Sequence, residues 1–307
     1  MVTHKAGESW VYLNDRLVPE QEAVISVYDR GFLYGDGVFE TLRAYQGKIF
    51  KVREHVSRLF QSLKIISLAF PITPDDIQKI LTQTLEANRL KDARLRITIS
   101  RGPDEIGLEP KAFSSPTIVV IAKAFSGYPE ILYEKGVDVA VVKTRKTSAA
   151  SLDPRIKSLN YLNHLLAKME SQKTGVFEGI LLNQDGYLCE GTVSNLFLVK
   201  QGRLLTPAPS CGILEGITRQ TVLELAQKAG IPVKEENLRP DEIVGADECF
   251  LTNATMELIP VVRIKRLDTQ QEAYPLGNGC VGPTTLFLLK SYRELVMKEV
   301  GSHPSPV

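Results

Sequence analysis

The stretch "RIKSLNYLNHLLAKMESQKTG", residues 155–175, reads as a helix with a lysine set just ahead of its first turn. Leu159, Leu162, Leu165, Leu166 and Met169 recur at three- and four-residue steps, which defines one apolar helical face. Ser158 is the expected cap and Gly175 the expected stop. A basic side chain favours the other end of a helix, so Lys157 is electrostatically misplaced for stability. The positive potential at a helix amino end lowers a lysine's pKa and makes its neutral, nucleophilic form accessible. A local rule broken in this way is expected of a functional group. Tyr161, four residues on, falls on the same face one turn away. On spacing alone a solvated lysine ahead of a helix is the commoner arrangement.

Working outward, strands and helices alternate along the whole chain. "WVYLNDRLV" predicts a hairpin around Asn14-Asp15, and "GVFETLRAYQGKIF" predicts two strands turning at Gln46-Gly47. Val52, Val56, Leu59 and Leu63 share a helical face, and "TPDDIQKILTQTL" opens a second helix with Thr73 as cap and Pro74 first inside. "ARLRITISRG" alternates, while "TIVVIAKAF" suits a buried strand. "SGYPEILYEKG" breaks the pattern. It divides the chain into a domain at 1–125, a linker at 126–135 and a second domain at 136–307. The second domain holds "VDVAVVKT", the Lys157 helix, the pair "EGILLN" and "GTVSNLFLVK", and a helix in "GITRQTVLELAQKAGIP". Further strand in "ECFLTNATMELIPVVRI" and a last helix in "PTTLFLLKSYRELVMKEV" follow. The tail "GSHPSPV" is expected to be disordered. Two mixed blocks indicate an α/β (α+β) fold with two subdomains.

The chain of 307 residues carries a net charge of +1, which gives no reason to expect nucleic acid or an anionic membrane as partner. No apolar run approaches the roughly 20 residues that span a bilayer, and the opening segment lacks the apolar core of a signal peptide. Cys189, Cys211, Cys249 and Cys280 form no close pair. They read as reduced thiols of a cytoplasmic protein rather than as a disulfide frame or metal site, and no metal is expected.

Three more segments carry chemistry. In "GILEGITRQTVLELA" a glycine turn at Gly216 runs into a helix whose first hydroxyl is Thr218, an arrangement suited to phosphate and also to an ordinary helix start. In "DGYLCEGTVSNLFLV" Glu190 lies inside a strand, where a half-buried carboxylate needs a cationic or N–H partner. A protonated pyridine nitrogen would serve; a strand-end glutamate facing water is the plainer alternative. Arg58 offers a guanidinium fork for phosphate, or a surface pair with Glu54. "YDRGFLYGDGVFE" sets Gly31, Gly35 and Gly37 among Phe32, Tyr34 and Phe39, which suits backbone approach to a ligand with an apolar lining. Taken together, a lysine, a ring-nitrogen partner, a tyrosine and a phosphate cradle are what pyridoxal 5′-phosphate requires.

The segments "YDRGFLYGDGVFETLRAY", "HVSRL", "KSLNYLNHLLAKME", "EGTVSNLFLV", "GILEGITRQTVLELA" and "DECFLTNATMELIPVVRI" fall in the order of one family and cover nearly the whole chain. In them the sequence resembles the class IV aminotransferases, the fold-type IV pyridoxal-phosphate enzymes. The resemblance implies a small amino-terminal α/β domain, a larger carboxy-terminal pseudo-barrel domain and a homodimer. It implies that Lys157 is the covalent attachment point and the general base. It further implies that Glu190 keeps the ring nitrogen protonated and Tyr161 bonds the ring hydroxyl. Arg58, Ile217, Thr218 and Thr255 would hold the phosphate. Tyr34, Phe39, Arg96 and Ala254 would meet the substrate, with Arg96 against its carboxylate. The activity implied is transfer of an amino group between an amino acid, branched-chain L-amino acids first, and a 2-oxo acid such as 2-oxoglutarate. Branched-chain enzymes usually read "FEGIR" and Gly-Thr-Ala where this chain has "FETLR" and Asn253-Ala254-Thr255. Both departures resemble 4-amino-4-deoxychorismate lyases, which release 4-aminobenzoate and pyruvate. A D-amino-acid aminotransferase is the third alternative. A cofactor-holding relative without catalysis is the non-enzymatic one, against which the intact Lys157, Tyr161 and Glu190 speak.

Overall fold

The computed structural model describes residues 9–69, 71–109, 115–267, 269 and 271–301. The tail at 302–307 therefore lies outside the described residues. Two compact units emerge. The first comprises residues up to Ser126, Ile156–Asn160 and residues from Glu299 on; the second comprises Gly127–Arg155 and Tyr161–Lys298. A single cut at 126–135 would place 156–160 and 299–301 in the other block.

The first unit contains β1 (Trp10–Leu13), β2 (Arg16–Pro19), α1 (Arg30–Tyr34), β3 (Gly37–Tyr45) and β4 (Lys48–Ile49). It continues with α2 (Val52–Ile65), α3 (Pro74–Ala87), β5 (Ala93–Ser100) and β6 (Thr117–Ala124). The strands form an antiparallel sheet in the order β2-β1-β6-β5-β3-β4. Both hairpins turn where expected, at Asn14 (φ 59°) and at Gln46-Gly47 (φ 51° and 83°). At Gln46-Gly47 the two successive positive φ values match the right-handed twist of the flanking strands. Thr73 caps α3: its hydroxyl accepts from Asp76 N (3.3 Å), and Asp76 returns a carboxylate oxygen to Thr73 N. Leu95, Ile97 and Ile99 of β5 join Leu59 of α2 and Ile77 and Leu81 of α3 in one core. Each such side chain contributes roughly 1.5–3 kcal/mol on burial. β6 is less enclosed than its apolar run suggests: Ile118, Val120 and Ala122 are buried, but Val119 and Ile121 are only half-buried. Antiparallel sheets are often packed on one face only, and β6 keeps that alternation.

The second unit contains α4 (Ile131–Lys135), β7 (Val137–Arg145), α5 (Leu162–Gln172), β8 (Glu178–Leu182), β9 (Leu188–Gly191) and β10 (Asn195–Lys200). β11 (Arg203–Pro207), α6 (Ile217–Lys228), β12 (Val233–Glu236), α7 (Pro240–Val244), β13 (Glu248–Asn253), β14 (Glu257–Arg266), β15 (Gln271–Pro275) and α8 (Pro283–Glu299) follow, the last residue of α8 belonging to the first unit. The sheet runs β12-β11-β10-β13-β14-β7-β8-β9 with β15 on β14, and β9 pairs back to β10. That last pairing, Glu190 against Asn195, closes a ring of strands into a barrel. "GTVSNLFLVK" is thus not one strand; it breaks at 192–194 between β9 and β10.

The opening segment departs from its expected form. The helix begins at Leu162, its amino-terminal cap position is Tyr161, and no side chain caps it. Ser158 instead accepts a hydrogen bond from Asn160 N at 3.0 Å. The helix packs through its small residues Ala167 and Ser171. Its apolar stripe points outward: Leu162, Leu165, Leu166 and Met169 are 62, 54, 49 and 56% exposed.

Candidate active site

In the first unit Lys157 sits on an extended strap, not at a helix end. Val38 and Ser158 form a bridge, Phe39 N donates to Lys157 O at 2.9 Å, and Leu159 N donates to Gly37 O at 3.0 Å. Lys157 N donates to Ser62 Oγ of α2 at 3.2 Å. Gly37 permits this docking, because a Cβ there would stand 2.5 Å from Ile99 O and 2.7 Å from Leu159 Cδ1. The helix-end potential invoked for Lys157 is therefore not its source of activation, and Tyr161 does not lie one helical turn along from it. Its amine instead stands 4.7 Å from the Phe39 ring centroid, and the Arg96 guanidinium lies 3.8 Å from the same ring. Arg96 also donates to Thr98 Oγ1 at 3.3 Å.

Arg58 pairs with Glu40 of β3, not with Glu54. Nε and Nη2 donate to the two Glu40 oxygens at 2.7 and 2.8 Å, and Glu54 pairs with Lys51. His55 Nδ1 contacts Glu40 Oε2 at 2.8 Å; an ionised carboxylate only accepts, so Nδ1 donates. Burial of Glu40 would raise its pKa, but Arg58 and His55 outweigh it and hold the carboxyl far below its usual range. Burial lowers the pKa of His55, the pull of Glu40 notwithstanding, and Arg58 and Lys157 lower it further. Tyr34 lies on α1, where its hydroxyl accepts from Gly107 N at 3.0 Å and its ring faces Arg30.

Tyr161, Glu190, Ile217, Thr218, Ala254 and Thr255 all belong to the second unit, where Tyr161 and Asn253 reach the turn at 192–194. Tyr161 OH donates to Thr192 O at 3.1 Å, and Asn253 Nδ2 donates to Val193 O at 3.0 Å. Asn253 Oδ1 accepts from Thr255 N (2.9 Å), Thr255 Oγ1 (3.0 Å) and Met256 N (2.8 Å). That one amide shapes the turn carrying Ala254 and Thr255. Glu190 Oε2 accepts from Leu214 N at 2.9 Å, and Asn195 Nδ2 donates to Leu214 O at 2.9 Å. Gly216 then caps α6 without a side-chain bond, and the first turn holds no acid. A Cβ at Gly216 would lie 2.1 Å from Asn195 Oδ1, so close approach requires glycine here. The start of α6 carries Ile217 and the buried Thr218, and uncapped N–H groups at a helix start suit an anion.

Glu190 is buried among groups that the sequence reading did not single out. Lys146 Nζ lies 2.5 Å from Glu190 Oε1 and 2.9 Å from His164 Nε2, and His164 Nε2 is 3.6 Å from Glu190 Oε1. Burial would raise the Glu190 pKa; Lys146 first and His164 second overcome that and lower it to about 2. These partners stand far off in sequence, and no local spacing signals such a pairing. All four cysteines are unpaired thiols. Among the described residues no cluster of acids, histidines and cysteines is arranged to hold a metal, and no helix is long and apolar enough to cross a membrane.

Known proteins share this arrangement of chain. The family model described as "Amino-transferase class IV" matches residues 37–264. A protein of Methanocaldococcus jannaschii provisionally named a branched-chain-amino-acid aminotransferase is 39% identical over 288 residues, covering 94% of this chain and 96% of that one. The aminodeoxychorismate lyase of Bacillus subtilis is 34% identical over 260 residues, covering 84% and 87%. The crystal structure of the branched-chain amino acid aminotransferase from Thermobaculum terrenum, in its PLP-bound holo-form, superposes with a TM-score of 0.84 at 28% identity, covering 96% of this chain and 95% of that one. The chain belongs to the class IV aminotransferases, pyridoxal-phosphate enzymes of fold type IV. Its donors suit that cofactor: an amine on a braced strap, a buried carboxylate held ionised, and an uncapped helix start beside a buried hydroxyl.

Proposed function

We propose that this protein is an aminotransferase that moves the amino group of branched-chain L-amino acids to a 2-oxo acid such as 2-oxoglutarate. Lys157 is the covalent anchor of pyridoxal phosphate and, once released by substrate, moves the proton at the substrate α-carbon as base and then acid. Bound pyridoxal phosphate supplies the electron sink for that proton's removal. Glu190 holds the proton on the ring nitrogen, and Tyr161 orients the ring through its hydroxyl. Arg58, the N–H groups of Ile217 and Thr218, and Thr255 bind the phosphate. Phe39 and Tyr34 line an apolar side-chain pocket, Arg96 meets the substrate carboxylate, and Ala254 packs beside it. The reading is supported chiefly by Glu190, a buried carboxylate that its neighbours hold well below the usual carboxylate range, together with the 39% identity to the branched-chain relative.

Lyase activity is the second reading. It is favoured by Thr41, by Ala254 and by the 34% identity to the Bacillus subtilis lyase. Mixing purified holoenzyme with L-leucine separates the two. Conversion of the visible absorption to that of the pyridoxamine form is expected; no conversion, with pyruvate released from aminodeoxychorismate, establishes the lyase instead.

The outward stripe of α5 favours a homodimer, since an apolar face of this kind gains by being covered. Unpaired thiols suit a reducing compartment, the cytoplasm.

A further inference from the structure

Lys146 directly follows β7, and its amide donates to Leu182 O at 2.8 Å. Its side chain is nearly enclosed, an unfavourable place for an ammonium unless it is paired. Two of its donors are accounted for, by Glu190 Oε1 at 2.5 Å and His164 Nε2 at 2.9 Å. Nζ thus sits between the carboxylate oxygen and the imidazole nitrogen, while His164 Nδ1 is buried without a hydrogen-bond partner among the described residues. The His164 ring is held in turn by Tyr161, stacked at 4.4 Å between centroids and 11° between planes. A chain of contacts thus runs from Tyr161 through His164 and Lys146 to Glu190. Leu214 N fixes the other carboxylate oxygen. Each Glu190 oxygen keeps a further lone pair for a ligand.

We propose that Lys146 is a positioning residue for the ring-nitrogen partner: held between His164 Nε2 at 2.9 Å and Glu190 Oε1 at 2.5 Å, it aims the Glu190 carboxylate at a ring N–H. The proposal rests on the assignment of Glu190 to the pyridine nitrogen of pyridoxal phosphate. Removing the ammonium raises the proton affinity of Glu190, and the shared proton shifts toward the carboxylate. The titratable groups facing Glu190 among the described residues are Lys146, His164 and Cys189.

The test compares holoenzymes of wild type, Lys146→Met, Lys146→Arg and His164→Phe. The visible band of the bound cofactor is titrated with pH, and cofactor affinity is measured by dialysis. Lys146→Met is expected to move the titration midpoint by about one pH unit or more and to weaken cofactor binding about tenfold or more. Lys146→Arg restores both to near the wild-type values. His164→Phe keeps the stack on Tyr161 but removes the ring nitrogen that contacts Lys146 Nζ, so it shifts the midpoint in the same direction by less. It also carries the test should the methionine variant fail to fold. Borohydride reduction of each preparation separates the two levels. No label on wild-type Lys157 sinks the cofactor assignment itself. A labelled Lys157 with wild-type titration in Lys146→Met, or in His164→Phe if the former is unfolded, overturns the role of Lys146 alone.

Discussion

Glu40 and Glu190 solve the same problem in the two units. Each is a buried carboxylate in hydrogen-bond contact with a basic side chain and close to a histidine: Arg58 and His55 in the first case, Lys146 and, at 3.6 Å, His164 in the second. Breaking such a buried pair leaves an uncompensated charge, so Arg58→Met should cost about 3–5 kcal/mol in chemical denaturation. The pH dependence follows from the same groups. His55 has a folded pKa below its ordinary value, so its contribution is complete above about 6.5 and is lost as pH falls through the folded value. Glu40 and Glu190 also have lowered values, so their contributions are complete above about 4.3 and disappear on further acidification, that of Glu190 near pH 2. Stability should therefore decline in two acid steps, and Glu190→Gln should flatten the lower one in a pH series of urea titrations. Glu190 stood out in the sequence because a carboxylate within a strand breaks a local rule, whereas the helix-end argument that singled out Lys157 does not hold, since 157–159 pairs with β3. Glu40, His55, Lys146 and His164 did not stand out. Their pairings span 15 to 44 residues, and nothing local distinguishes them from surface charges.

At the scale of elements, regular periodicity was a reliable guide. α2, α3, α6 and α8 lie where their apolar steps and caps place them, because burying a stripe and satisfying a first turn are local requirements. The segment around Lys157 misled for a physical reason. Its leucines repeat with helical spacing from Leu159, yet 157–159 pairs with β3 and the helix starts three residues later. Strand pairing with a distant partner overrides local propensity there. Gly37→Ala tests the strap. The added Cβ meets Ile99 O of β5 at 2.5 Å and Leu159 Cδ1 of the strap at 2.7 Å, so the strap is pushed off β3, and proton abstraction from substrate should slow at least about tenfold, while the secondary structure seen by circular dichroism is retained. Gly216→Ala tests the start of α6. Its Cβ would meet Asn195 Oδ1 at 2.1 Å, and cofactor affinity should fall by about tenfold or more in equilibrium dialysis.

For the whole molecule, the mixed architecture in two blocks was readable from alternating strand and helix signals. The closure of the barrel by Glu190 against Asn195 was not, since a single pair across a turn leaves no periodic trace. The return of 156–160 to the first unit was hidden for the same reason: it depends on pairing, not on composition. An apolar helical stripe does not say which surface it will meet, and the stripe of α5 faces away from its own unit's core. Sedimentation equilibrium is expected to give a dimer, and Leu165→Glu combined with Met169→Glu is expected to give a monomer; a wild-type monomer would remove the stripe's proposed role. The account as a whole turns on which amine carries the cofactor. Borohydride reduction of the holoenzyme followed by peptide mapping should find the phosphopyridoxyl group on Lys157 alone. Its recovery on buried Lys146, or on no lysine at all, would contradict the account.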